Sequence, residues 1–179
     1  MASAFYVVEG EVEVVHNFVD TDRFVPRDSA PWHRRKGGER VLVHASNFRP
    51  VKRVADVVRA FGAIQHQLPA KLLLVGDGPD REHALAVADD LGCGHRVEHL
   101  GVRDDLENVL PQADLFLSAS QTESFGLSIL EAMSCGVPCV STDVGGVSEV
   151  VGDAGKLVPL GDPGAMARAA VEALSNPSD

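Results

Sequence analysis

The stretch Leu115-Phe116-Leu117-Ser118-Ala119-Ser120-Gln121-Thr122-Glu123-Ser124-Phe125-Gly126-Leu127-Ser128-Ile129-Leu130-Glu131 holds a strand, a loop and the start of a helix. Leu115–Ser118 is a continuous apolar run without alternation, the pattern of a strand covered on both faces. Gly126-Leu127 opens a helix predicted to run to about Cys135. On that geometry Glu123 and Glu131 stand roughly 12 Å apart along the axis, at ~1.5 Å per residue. Carboxylates that cleave one glycosidic bond sit roughly 5 to 9.5 Å apart, so this pair is too widely spaced for that chemistry. The spacing suits the span from a sugar across a diphosphate to a ribose. The unpaired N–H groups of Phe125, Gly126 and Leu127 would face the diphosphate at the positive helix end, with Gly126 admitting close backbone approach. Glu131 would then reach ribose hydroxyls and Glu123 the sugar.

Outward from this stretch, further strand-like runs occur at Val12–Val15, Val41–Ala45, Leu72–Val75, Val97–Leu100, Cys139–Thr142 and Lys156–Val158. Helical patterns lie between them at Val54–Gln67, Asp80–Leu91, Leu106–Leu110, Ser148–Val151 and Ala165–Leu174. The βαβα succession predicts an α/β fold with a doubly wound parallel sheet. Ligands of such sheets bind beyond the carboxyl ends of the strands, where the loops Ser46–Arg53, Gly76–Pro79, Gly101–Arg103 and Ser118–Gly126 all fall. Residues 17–39, rich in Pro, Asp, Arg and Gly, read as a poorly ordered connector.

With 179 residues, 45% of them hydrophobic and 23% charged, the chain suits one globular domain with a substantial core. No apolar run approaches the ~20 residues of a membrane-spanning helix. The net charge of −10 argues against a nucleic-acid partner. Cys93, Cys135 and Cys139 are odd in number, lack zinc-ligand spacing and follow no signal peptide, which favours a cytoplasmic setting.

Four strings carry a family resemblance: Ser46-Asn47-Phe48-Arg49-Pro50-Val51-Lys52-Arg53, Leu74-Val75-Gly76-Asp77-Gly78-Pro79, Glu123 through Glu131, and Glu131-Ala132-Met133-Ser134-Cys135-Gly136-Val137-Pro138 followed by Gly145-Gly146-Val147-Ser148-Glu149. Over roughly residues 12–175 they resemble, in order, the retaining glycosyltransferases of family 4, which have the two-domain GT-B fold. The resemblance implies that 40–179 is the Rossmann-like donor-binding domain, truncated at its C-terminus. It also implies that 1–39 is an interdomain strand and connector, and that an N-terminal acceptor domain is missing. The Ser46–Arg53 string is most similar to family members that transfer N-acetylglucosamine from UDP-N-acetylglucosamine to L-malate at the start of bacillithiol biosynthesis. In that picture no cofactor or catalytic metal is required. Lys52 and Arg49 hold the diphosphate with the Ser124, Phe125, Gly126 and Leu127 backbone, Glu123 orients the sugar and Glu131 the ribose. Gly78, Val102 and Arg103 lie near the nucleobase. The family usually has an Arg five residues before Lys52; here that position is Asn47, with Arg49 the nearest substitute. Such a fragment is expected to be inactive alone, and its oligomeric state is left open.

Other readings stay beside this one. Arg49 and Arg53 could be solvated helix-start charges, Gly76–Pro79 a tight turn, Gly145-Gly146 a plain turn, and Arg103 an exposed side chain. Gly76-Asp77-Gly78 lacks the third glycine of a dinucleotide fingerprint, since residue 81 is Arg81. Asp20-Thr21-Asp22 matches a metal-binding D-x-D string but sits where an Asx turn explains it. His44 and His99 read as satisfied strand histidines. Alternative functions are another family 4 hexosyltransferase, mannosyl or glucosyl, acting on lipid or polysaccharide, and a non-catalytic nucleotide-binding module.

Overall fold

The structure, a computed structural model, describes residues 13, 15, 17–26 and 38–175. Its strands are β1 (Arg40–Ala45), β2 (Ala70–Val75), β3 (Val97–Gly101), β4 (Leu115–Ser118), β5 (Cys139–Thr142) and β6 (Lys156–Val158). They alternate with α1 (Val54–Gln65), α2 (Arg81–Asp90), α3 (Leu106–Val109), α4 (Leu127–Ser134), α5 (Val147–Val151) and α6 (Pro163–Ser175). All neighbouring strands pair in parallel, in the order β3-β2-β1-β4-β5-β6. This is the doubly wound α/β arrangement expected from the sequence, with its reversal of strand order between β1 and β4.

The period of two along each strand sorts the apolar residues onto two faces. Leu42, Leu72, Leu74, Leu115, Leu117 and Val140 pack with α1, α2 and α6. Val41, Val43, Leu73, Val75, Phe116 and Cys139 pack with residues of α3, α4 and α5. Both faces are covered, which is why the strands read as continuous apolar runs. On α1, Val54, Val57, Val58, Phe61 and Ile64 fall at helical spacing and are fully buried. Each such side chain contributes about 1.5–3 kcal/mol of transfer free energy.

Helix α4 is bounded by two glycines that supply left-handed backbone: Gly126 at its N-cap with φ 93° and Gly136 beyond its end with φ 73°. At the C-terminus, Gly136 N–H donates to Met133 O and Val137 N–H to Ala132 O, the two bonds of a Schellman cap. Its limits, Leu127–Ser134, lie one residue inside the expected helix at each end.

The connector reading needs correction. Val12 and Val14 of the expected first strand Val12–Val15, and residues 27–37, lie outside the described residues. Residues 17–26, however, are docked against the domain. Phe24 is 6% exposed and belongs to the core beneath α4, and its carbonyl accepts a hydrogen bond from Ser134 Oγ at 2.7 Å. Asp20 Oδ1 accepts from the backbone N–H of Asp22 and Arg23, so the D-x-D string forms the Asx turn that precedes this anchor. A single aromatic residue in a polar segment was too weak a periodic signal to show that docking. Replacing Phe24 with Ala should cost about 3 kcal/mol, as for other buried aromatic truncations. Denaturant unfolding of the 179-residue chain measures this; a change below about 1 kcal/mol would mean that the segment is not part of the folded unit.

Candidate active site

The loops that leave β1 and β4 emerge side by side, because those strands pair with Leu42 opposite Leu115 and Val43 opposite Phe116. In the first loop, Phe48 and Arg53 take left-handed backbone at φ 40° and 49°, uncommon for residues other than glycine. Between them Pro50 starts a single 3-10 turn, Pro50–Lys52. That turn directs Lys52 at the second loop, where its Nζ lies 2.5 Å from Glu123 Oε2. The two side chains are 22% and 16% exposed, a partly shielded ion pair open to the cleft. Ser120 Oγ lies 3.4 Å from the same carboxylate oxygen. Gln121 N–H donates to Val51 O at 2.7 Å and ties the loops together through the backbone. Thr142 Oγ1 donates to Ser120 O at 2.6 Å and anchors the second loop to β5.

Glycines hold both loops from outside. A Cβ on Gly145 would stand 1.8 Å from Glu123 O, and one on Gly146 2.5 Å from Ser124 O. On the other side, a Cβ on Gly76 would stand 1.7 Å from Ser46 O, and one on Gly78 2.2 Å from Asn47 O. Backbone can approach backbone this closely only where no side chain intervenes. Gly76–Pro79 is therefore more than a strand-to-helix turn, and Gly145-Gly146 more than a plain one: each supports a loop carrying a candidate site residue.

His44 links the same elements from beneath. It is buried, with Nδ1 2.8 Å from Leu117 O and Nε2 2.9 Å from Ser46 Oγ. A carbonyl only accepts, so Nδ1 carries the proton and Nε2 accepts from the Ser46 hydroxyl. Ser46 Oγ in turn accepts from the N–H of Phe48 at 3.2 Å. Burial lowers the histidine's pKa to about 4, opposed by the Leu117 carbonyl and reinforced by the Lys52 charge. The satisfied strand histidine expected from the sequence is thus also a brace for the left-handed turn at Phe48.

Beyond Glu123, the chain enters α4 through Gly126. Among the described residues the amides of Phe125, Gly126 and Leu127 have no acceptor within the chain. They form the positive end of α4, beside the ion pair. Glu131 lies further along α4 and is half-buried; burial and the Glu107 charge raise its carboxyl pKa, and Arg23 lowers it. Arg23 Nη2 itself donates to Glu107 Oε2 at 2.8 Å and to Asp104 O at 2.9 Å. The two glutamates of the opening stretch therefore have different surroundings: a lysine at the β1–β4 junction for Glu123, a connector arginine and an α3 carboxylate for Glu131.

The remaining sequence candidates separate. Arg49 is exposed and, among the described residues, makes no ion pair, so its guanidinium is uncommitted at the cleft edge. Arg53 is engaged structurally: Arg53 and Arg59 both bind the buried Asp56 carboxylate. Arg103 is held by Asp105 through two 2.7 Å hydrogen bonds, while Val102 is 78% exposed at the end of β3. Ser124 and Leu127 are exposed at the start of α4. No local pattern marks Arg23 or Glu107, which meet only through a contact across 84 positions. For the His44 brace, the His-x-Ser spacing at the end of a strand was the available clue.

A lysine, open backbone amides and a carboxylate lie together at one strand junction, an arrangement that can bind a diphosphate and orient a hydroxylated group attached to it. The His44 pKa has a defined effect on stability. Its folded value lies below the unfolded value of 6.5, so the unfolded chain takes up the proton first as pH falls. The stability gained from neutral His44 is present above pH 6.5 and is lost progressively toward pH 4. Its slope reaches at most about 1.4 kcal/mol per pH unit. Comparing unfolding free energies at several pH values with those of His44→Gln checks this; an identical slope in both proteins would remove His44 as the source.

Residues 39–176 match the family described as glycosyl transferases group 1. The chain is 44% identical over 171 residues to the N-acetyl-alpha-D-glucosaminyl L-malate synthase of Bacillus anthracis, covering 93% of this chain and 45% of that protein. It is 35% identical to the D-inositol 3-phosphate glycosyltransferase of Mycobacterium sp. (strain JLS), covering 90% of this chain and 42% of that one. The chain thus spans a little under half the length of these relatives. Anabaena HepE in complex with UDP and glucose superposes with a TM-score of 0.80 at 26% identity, over 92% of this chain and 47% of that one. Sucrose-phosphate synthase from Thermosynechococcus elongatus superposes with a TM-score of 0.79 at 28% identity, over 89% and 42%. With its parallel sheet, its paired loops at the strand reversal and this match over most of its length, the chain belongs to the group 1 glycosyl transferases, enzymes of the GT-B fold.

Proposed function

We propose that this chain is the donor-binding half of a retaining glycosyltransferase that moves N-acetylglucosamine from UDP-N-acetylglucosamine to L-malate. The observation that carries the reading is the meeting of Lys52 and Glu123 beside the open amides of α4. The choice of sugar and acceptor rests on the likeness to the Bacillus anthracis synthase. A structural relative that binds UDP and glucose supports a uridine nucleotide as the donor's leaving group.

In this reading the α4 amides and Lys52 meet the diphosphate, and Arg49 supplies a second cation from the cleft edge. Both act most strongly as charge develops on the departing oxygen, where a positioned cation lowers the barrier without reorganising. Glu123 accepts a sugar hydroxyl while its hydrogen bond to Lys52 fixes its direction. Glu131 accepts the ribose hydroxyls, with Gly78, Val102 and Arg103 on the nucleobase side. No step requires a metal. A preceding domain would close over the donor, exclude water and hold malate, so that catalysis comes chiefly from positioning. The buried free thiols Cys93, Cys135 and Cys139 suit a reducing cytoplasm.

Titration calorimetry separates this reading from its competitors. Lys52→Ala should weaken UDP binding by about 1.5–3 kcal/mol, as for a hydrogen bond to a charged group, and leave uridine binding nearly unchanged. An equal loss for uridine would assign Lys52 to fold stability instead. Competition among UDP-N-acetylglucosamine, UDP-glucose and GDP-mannose distinguishes another hexosyltransferase. Transfer to L-malate, followed by mass spectrometry, should be absent for residues 1–179 and present once a preceding acceptor domain is joined. Steady product from the isolated chain would refute the division of labour proposed here.

A further inference from the structure

The cation proposed to meet the diphosphate and the carboxylate proposed to meet the sugar are bonded to each other: Lys52 Nζ donates to Glu123 Oε2 at 2.5 Å. The other groups around this carboxylate are neutral. Ser120 Oγ lies 3.4 Å from the same Oε2, and the loop before α5 contributes the Gly146 N–H, which donates to Glu123 O at 3.2 Å. At the start of α4, Gly126 stands beside the Glu123 side chain without one of its own; a Cβ there would lie 3.6 Å from Glu123 Cγ. His44 faces Lys52 from β1, and burial keeps its pKa at about 4, so the imidazole is neutral around pH 7. Among the described residues the pair has no third charged partner, and Glu123 Oε1 makes no hydrogen bond. Lys52 and Glu123 thus form a locally neutral unit.

An ammonium group has three donors, and one of those on Lys52 is committed to Glu123. A phosphate oxygen accepting a second would lie roughly 4–5 Å from Glu123 Oε2, given ordinary hydrogen-bond lengths and tetrahedral directions at Nζ. Water screens that repulsion only in part, because the two side chains are 22% and 16% exposed. Its size depends on what caps the diphosphate. A diphosphate esterified at both ends keeps the same charge throughout the neutral range, whereas a free terminal phosphate gains a further negative charge above about pH 6. The sugar-capped form also brings hydroxyl donors for Oε1. We propose that Glu123 is a specificity-determining residue: by neutralising Lys52 it selects a sugar-capped nucleoside diphosphate over the free nucleoside diphosphate. This rests on the reading of Lys52 as a diphosphate ligand. After transfer the released nucleotide carries the additional charge, so the same carboxylate weakens retention of the product.

Glu123→Gln tests this with little change of shape. The glutamine carbonyl can still accept from Lys52, so the lysine keeps its partner while the charge of the pair rises by one unit. Loss of repulsion and unmasking of Lys52 are the same change of local charge, and both favour the more highly charged ligand. Calorimetry of the 179-residue chain with UDP and with UDP-N-acetylglucosamine, at about pH 5.5 and about pH 8, is the readout. Changed contacts to the uridine and inner phosphate, which the ligands share, cancel in the ratio of the two affinities. At the higher pH the variant's preference for UDP should exceed the parent's by about three- to tenfold, the size of a partly screened charge pair. The excess should shrink at the lower pH, where the terminal phosphate holds its second proton; His44 stays neutral at both. Ser120→Ala removes a neutral contact from the same oxygen and should leave the preference and its pH dependence as in the parent. An unchanged preference in Glu123→Gln would overturn the inference, and an excess of equal size at the two pH values would leave Glu123 a sugar ligand alone. Should Glu123→Gln fail to fold, the parent decides: its preference for UDP should stay nearly constant, and a rise of about threefold or more toward the higher pH would refute the neutralising role. Lys52→Ala tells the two levels apart. Unaltered UDP affinity in that variant would refute the diphosphate site itself, whereas weakened UDP binding beside an unchanged Glu123→Gln preference would refute only the selection proposed here.

Discussion

The pairing of β1 with β4 at the centre of the sheet is the constraint on which the rest depends. Residues separated by 71 positions become neighbours there because parallel strands send their following loops to the same edge. Two layers of apolar side chains, one on each face, keep the junction in register. A slip of one residue in β4 would turn Leu115 and Leu117 toward the wrong layer and move Glu123 away from Lys52. The site is thus held in place by the same burial that holds the fold.

Above that junction, the loops are fixed by close backbone approach rather than by packing of large side chains. Gly76, Gly78, Gly145 and Gly146 lie against the carbonyls of Ser46, Asn47, Glu123 and Ser124. The loops can carry exposed polar groups and still be rigid, which a binding site for an anionic ligand requires. His44 adds a buried hydrogen-bond chain from Leu117 O to the Phe48 amide. Burial keeps this imidazole neutral, so the brace does not add another cation beneath Lys52.

Charge is distributed with the same economy of position. A chain of net charge −10 can meet an anion only through local cations, and in the proposed reading these are Lys52 and Arg49. Nearby arginines are largely occupied: Arg53 and Arg59 with Asp56, Arg103 with Asp105, Arg23 with Glu107. Arg23 also shows that the segment preceding β1 contributes to the folded unit. Its aromatic neighbour Phe24 closes the core under α4, linking the route into this domain with the helix that carries Glu131.

Local sequence determined the strands and helices, because apolar runs covered on both faces and helical spacing such as Val54, Val57, Val58, Phe61 and Ile64 are written in neighbouring residues. It also identified Lys52, Glu123 and Glu131 as candidates, since the strings around them belong to loops that follow strands or begin helices. What lay beyond it were relations between distant segments. The docking of Phe24, the two glycine clamps, the commitment of Arg53 to Asp56 and of Arg103 to Asp105, and the charge environment of Glu131 all arise only once the sheet is assembled. Periodicity reports which face a residue presents; which residue of another element meets that face is decided by packing, and so by the tertiary structure alone.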